Sequence, residues 1–129
     1  MMPYLNIDDG EDEHPKIIGL SDAAYRLRSA MRGYAARNKT DGLVMLALAR
    51  RLTDTASDVV LSELEKANLI HFPGTGCSDS RTCCDPPAGY VMVHDYLEWN
   101  HSKRWWENRA IEERKRKAAY RKKKAQNTS

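Results

Sequence analysis

Apolar positions along this chain alternate between helical spacing and short extended runs. In Gly19–Asn38, Leu20, Ala24, Leu27, Met31 and Tyr34 fall on one helical face. Ser21 stands just before as an N-cap. Arg26, Arg28, Arg32 and Arg37 read as mostly off that face, and Gly33 weakens the helix without ending it. Lys39–Val44 reads as a turn into a brief extended segment. Met45–Leu52 predicts a short helix, with Leu46 and Ala49, or Leu48 and Leu52, on its inner side. A further helix is expected over Thr55–Asn68. Val60, Leu64 and Ala67 form its inner stripe, with Val59 and Leu61 in support. Thr55 and Asp58 have capping-box spacing, and Asn68 is a natural stop.

Three runs have β character. Pro3–Asp9 predicts a short strand with Tyr4, Leu5 and Ile7 as its apolar content. "NLIHF" and "YVMVHDYLEW" predict a hairpin whose tip, roughly 16 residues, exceeds usual hairpin loops. After Asn100 the pattern changes. Ser102 is an N-cap candidate, and Trp105, Trp106, Ala110 and Ile111 suit docking of the first turns on the body. Beyond Glu112 only alanines and Tyr120 are apolar, so packing does not hold that end and it is expected to fray or to need a partner.

The order helix, short strand, helix, helix, hairpin is that of a winged helix-turn-helix. The expected fold is therefore mostly α with a small β component. It is a winged helix over 1–100 with a long cysteine-bearing wing, followed by a basic C-terminal helix or tail over 101–129.

Charge sharpens this division. The formal net charge of +3 over 129 residues hides 11 Lys/Arg against 3 Glu in 101–129, a net of +8. Residues 1–100 carry 10 Lys/Arg against 15 Asp/Glu, a net of −5. Such asymmetry points to a polyanionic partner, or to packing of the tail on the acidic body, with Asp8–Glu13 either a solvated loop or a surface that mimics phosphate or holds the tail. The acidic N-terminus does not suit a signal peptide, and no apolar run approaches a membrane span. A cytosolic protein without membrane contact is expected, and there thiols stay reduced.

Several segments are similar to a known family. "YLNIDDGEDEHPKIIGLSDAAYRLRSAM", "TDGLV", "ELEKANLIH" and "VHDYLEWNHSK" resemble the N-terminal winged-helix domain of actinobacterial phage and prophage proteins described as replication-initiator-like or as DNA binding. The resemblance spans roughly residues 3–120, and its most specific pieces are His14-Pro15-Lys16, Leu20–Ala24, Thr40-Asp41-Gly42 and His94–Leu97. It implies a DNA-binding fold and a role in replication initiation or transcription control in a bacterial host cell. The usual relatives carry further domains after the winged helix.

Within that fold, the second helix of the helix-turn-helix enters the major groove. The corresponding face here, Ser57, Asp58, Ser62, Glu63, Glu65 and Lys66, is net acidic and opposes phosphate. The cationic candidates for nucleic acid are Arg50, Arg51 and Lys66, Arg81 in the wing, and the tail residues Lys103, Arg104, Arg109, Arg114, Lys115, Arg116, Lys117, Arg121, Lys122, Lys123 and Lys124. Trp105, Trp106 and Tyr120 either stack on unpaired bases or anchor the tail. The alternative function is a protein-interaction module that docks through its acidic face on a host or phage replication or transcription protein. A homodimer paired through the tail is a further option, although its weak apolar stripe does not suit a coiled coil.

The tip holds Cys77, Cys83 and Cys84 within eight residues. Structural zinc, reduced thiols and a disulfide are all open readings, the last disfavoured by the odd count and the compartment. A zinc set would be His71, Cys77, Cys83 and either Cys84 or His94, because adjacent Cys83 and Cys84 strain to share one metal. A tip with so many Gly and Pro and no core gains order from a metal. The resemblance also implies a His and a Cys pair in the wing, with the cysteines closer together than here. No phosphate loop, dinucleotide fingerprint or HExxH occurs. A Cys77–His94 pair on a loop, or a His94-Asp95 dyad on opposite strand faces, does not make an active site, so no enzyme is expected.

Overall fold

Ser21 adopts an extended backbone, and its Oγ accepts from the Ala24 N–H at 3.2 Å, which starts helix α2 (Asp22–Asn38) where the pattern predicts. A computed structural model describes residues 4–7, 10–74, 77, 83, 85–94 and 96–127. A short turn of helix, α1 (Pro15–Ile18), precedes α2, and His14 caps it by accepting from the Lys16 N–H. Next come β1 (Leu43–Met45), α3 (Leu46–Ala49), α4 (Asp58–Lys66), β2 (Ile70–His71), β3 (Tyr90–Val93), α5 (Tyr96–Trp99) and α6 (Lys103–Asn127). The protein is mostly helical, with a small three-stranded antiparallel sheet in the order β1-β3-β2.

The core lies between this sheet and the helices. Leu27 and Met31 of α2 and Leu61 and Leu64 of α4 are fully buried with Val44, Ile70, Val91 and Val93 of the strands. β3 is the central strand and is buried at Val91, Met92 and Val93 in succession, as a strand covered on both faces must be. The α2–β1 connection passes through left-handed backbone at Lys39, Asp41 and Gly42. At Gly42 (φ +90) a side chain would stand 2.7 Å from the Tyr96 Cβ, so only glycine lets α5 approach this turn. Burial, then the nearby Asp41 charge, pushes the Tyr96 hydroxyl up to about 12.

Several expectations need correction. Tyr4–Ile7 is not a strand: the Asn6 N–H donates to the Asn100 side chain at 2.7 Å instead of joining a ladder. The helix expected over Met45–Leu52 is only the turn Leu46–Ala49. α4 starts from Ser57, whose Oγ accepts from the Val60 N–H, and not from Thr55, which lies inside the Thr53–Ala56 turn. Leu61 and Leu64 are its buried residues, while Val59 is 79% exposed. Asn68 does end the helix region, in left-handed backbone. The run "YVMVHDYLEW" is a strand only to Val93. The His94 N–H donates to the Leu69 carbonyl at 2.9 Å, and the chain then turns into α5.

The largest departure concerns charge. Arg28 and Arg32 are 9% and 6% exposed and lie on the buried side of α2. Their positions continue the series Ala24, Leu27, Met31, Ala35 at i, i+3, i+4 spacing, so the inner face is wider than the apolar residues alone suggest. Both NH1 groups donate to Glu11 Oε1 at 2.6 Å, and Arg32 NH2 donates to Oε2 at 3.1 Å. Burial pushes the Glu11 carboxyl up, but hydrogen bonds from Arg32 and Arg28 and their charges outweigh it and leave the group below its ordinary value.

Candidate functional site

The hairpin joins two histidines by its register. His71 pairs with Met92, and His94 lies two residues beyond Met92 on the same face, so the two imidazoles are diagonal neighbours across the strands. His71 Nε2 and His94 Nδ1 are 2.9 Å apart. Cys77 and Cys83 of the tip lie beside them. Cys77 Sγ stands 3.5 Å and Cys83 Sγ 3.4 Å from His94 Nδ1. His71 is buried and the other three are half-buried.

The four donor atoms, two imidazole nitrogens and two thiols, lie within 4.8 Å of one another. A tetrahedral zinc with ordinary bond lengths sets its N–N and N–S separations at ~3.3 and ~3.6 Å. The three separations from His94 Nδ1, to His71, Cys77 and Cys83, lie within a few tenths of an ångström of these values. The donor chemistry also fits, because Cys₂His₂ is a standard structural zinc set. Cys77 and Cys83 are thiols and not halves of a disulfide. Of the two alternatives for the fourth ligand, His94 is in the cluster, whereas Cys84 lies outside the described residues. At the base of the tip, Asp85 accepts from the Gly74 N–H at 2.8 Å and ties its two arms together.

The second candidate surface is α6. Asp41 Oδ1 accepts from the Lys103 N–H at 2.6 Å, and Ser102 Oγ accepts from the Trp105 N–H at 3.1 Å, so the helix start is capped twice. Trp106 is buried and meets Tyr4 edge-on at 5.1 Å. Trp105 stacks on His101 at 3.4 Å, with the Arg109 guanidinium 5.8 Å from its ring. The tryptophans thus anchor the helix. Ala110 and Ile111 remain exposed, so docking ends after the first turn.

From Glu107 onward the helix continues unbroken to Asn127, where fraying is expected from composition alone. Lys103, Arg104, Arg109, Arg114, Lys115, Arg116, Lys117, Arg121, Lys122, Lys123 and Lys124 are all exposed on it. Tyr120, 66% exposed, shares a shallow groove with Arg116, Lys117, Arg121 and Lys124.

The remaining cations are scattered. Arg50 Nε donates to Asp58 at 2.8 Å, Arg51 and Lys66 are exposed, and Arg81 lies outside the described residues. The acidic face of α4 is partly occupied within the chain. Asp58 holds Arg50, and the Glu63 carboxylate accepts from the Ser21 N–H and Oγ–H at 2.8 Å each. In the acidic N-terminal stretch, Glu11 is engaged by α2 and not by the tail. Asp95 lies outside the described residues, and with it the His94-Asp95 dyad. Among the described residues, no helix is long and apolar enough to cross a membrane.

No family profile matches the chain, and neither the curated proteins nor the solved structures give a match.

Proposed function

We propose that this chain is a winged-helix protein of the phage replication-initiator-like kind, which binds nucleic acid through α6 and the hairpin. In this reading a structural zinc on His71, Cys77, Cys83 and His94 closes the wing. The winged-helix assignment rests on the succession α2, β1, α3, α4, β2, β3 and on β1 pairing with β3. Zinc supplies a cross-link that orders the tip. Four protein ligands leave no open position for a substrate, which favours a binding protein over an enzyme.

The observation that carries the nucleic-acid reading is the exposed cationic run of α6, anchored at one end only. Such a surface binds phosphates by releasing condensed counterions, largely without sequence preference. Tyr120 among four cations adds a stacking platform for unpaired bases. α4 contributes little, because its outer face presents Asp58, Glu65 and only Lys66 as a cation.

Fluorescence anisotropy with labelled duplex and single-stranded DNA over a salt series tests this. The wild type is compared with a variant carrying glutamine at Lys115, Arg116, Lys117, Arg121, Lys122, Lys123 and Lys124. If six or more phosphates are contacted, wild-type affinity falls about 10³-fold or more between 50 and 200 mM salt. The variant is expected to lose about 100-fold or more at low salt. Absence of wild-type binding at low salt overturns the reading. It would turn attention to a protein partner for α4, whose exposed Val59 between acidic neighbours is the observation favouring that alternative.

A further inference from the structure

A cavity of about 270 Å³ lies between the N-terminal segment, α2 and the end of β3, away from the cationic run of α6. Arg28, Arg32 and Glu11 line it together with His14, Lys16 and Asn100. Arg28 and Arg32 are 9% and 6% exposed, and among the described residues the Nε N–H of each has no hydrogen-bond partner. Buried donors are nearly always paired, so two orphans on adjacent turns of one helix point to an acceptor that is not part of the chain.

Charge points the same way. Among the described residues, two buried guanidinium groups face one carboxylate, and Lys16 adds a further cation at the wall. Glu11 has two oxygens, and three N–H groups already converge on them. With the two orphan Nε N–H groups the donors come to five, against the about four lone-pair sites of one carboxylate. His14 adds one more: its Nδ1 accepts from the Lys16 N–H, so in the neutral ring the proton sits on Nε2. A phosphate monoester, with up to two negative charges and three terminal oxygens, matches two arginines better than a single carboxylate does. The cavity has room for a small molecule and not for a nucleic-acid duplex, whose phosphates cannot reach arginines buried this deeply.

We propose that this cavity binds a small phosphate-bearing molecule on Arg28 and Arg32, and that Glu11 is the resident competitor, its carboxylate standing where phosphate oxygens would sit. The ligand displaces Glu11 from the two guanidinium groups and engages the Nε donors. Because the clamp is already filled within the chain, the apparent affinity is reduced by the fraction of molecules in which Glu11 holds it. The cavity wall shares His94 with the hairpin cluster, and the clamp on Arg28 and Arg32 lies apart from the cationic run of α6.

Arginine side-chain ¹H–¹⁵N NMR of the full chain tests the proposal. The Arg28 and Arg32 Nε–H signals, identified with Arg28→Lys and Arg32→Lys, are followed during titration with inorganic phosphate and with glycerol phosphate at constant ionic strength. Both signals are expected to shift saturably at millimolar glycerol phosphate, while tail arginine signals drift without saturating. Saturation by inorganic phosphate as well would support recognition of the phosphate group alone. Saturation only by the ester would support a cavity that also reads the attached group. Glu11→Gln, checked for folding by circular dichroism, is expected to bind about tenfold more tightly. No saturable shift in the wild type with either ligand overturns the proposal, whether or not Glu11→Gln folds. A folded Glu11→Gln that binds no more tightly removes Glu11 as competitor.

Discussion

The body and the C-terminal helix treat charge in opposite ways. In the body, carboxylates act as fasteners: Glu11 joins the N-terminal segment to Arg28 and Arg32, Glu63 joins α4 to the start of α2, and Asp54 and Asp58 hold Arg26 and Arg50. In α6, the Arg116–Glu113 pair stretches to 4.0 Å and the cations face solvent. Among the described residues, Glu11, Asp54, Asp58 and Glu63 are thus engaged inside the body, and Asp41 meets the tail only at the first residue of α6. In the proposed function, charge serves stability around Glu11 and association along α6. Substitutions at charged positions should separate along that line.

The largest effect on stability is expected at Glu11. Replacing it with glutamine leaves two buried guanidinium groups without their anion, which costs about 3–5 kcal/mol. Urea denaturation at neutral pH would measure this. The Glu11 carboxyl is held below its ordinary value of 4.5, so its contribution is fully present above that pH. It fades as pH falls through the lower folded-state value. The wild type should lose stability over that acidic window, and Glu11→Gln should lose less.

The hairpin comes next. With free zinc at 100 times its dissociation constant, binding adds about 2.7 kcal/mol, or roughly 10–20 °C in Tm for a body of this size. Calorimetry with and without a chelator would show that difference in the wild type. Cys77→Ser should abolish most of the zinc-dependent shift while matching the chelated wild type. An equal loss of Tm in chelated protein would mean that the thiol serves packing and not a metal.

Smaller effects discriminate local assignments. Ser57→Ala should destabilise by about 1 kcal/mol through loss of the α4 cap, whereas Thr55→Ala should stay within about 0.5 kcal/mol. The smallest effect is expected where most charge is removed. Glutamine at the seven cationic positions in 115–124 should change body stability by less than about 0.5 kcal/mol, since exposed charges contribute little. A large loss there would show that the tail and body are electrostatically joined after all, and the contrast between the regions would fail.

Much of this was legible in the sequence because it depends on local chemistry. Ser21 before a helical stripe, Asn68 after one, and two β-type runs around a Gly/Pro-rich tip each follow from short-range rules. The ligand set was legible only to a choice between Cys84 and His94. That choice depends on strand register, and register depends on how both faces of β3 pack. Arg28 and Arg32 were misplaced for another reason. Reading only apolar residues narrows the inner face of α2, although the two arginines have the right spacing to lie on it. Their partner, Glu11, is 17 residues away from Arg28 in sequence, and no periodicity reports such a pairing.

The single-ended anchoring of α6 has a consequence in reach. From Glu107 to Asn127 the helix advances about 31 Å, at 1.5 Å per residue. Ionic screening at physiological strength decays over about 8 Å. The cations of the last turns are thus several screening lengths from the anchor at Trp106, and the anionic body does little to dim their field. If the proposed function holds, a passing polyanion would meet the tip of this rod before it senses the body, and the rod would widen the target for capture.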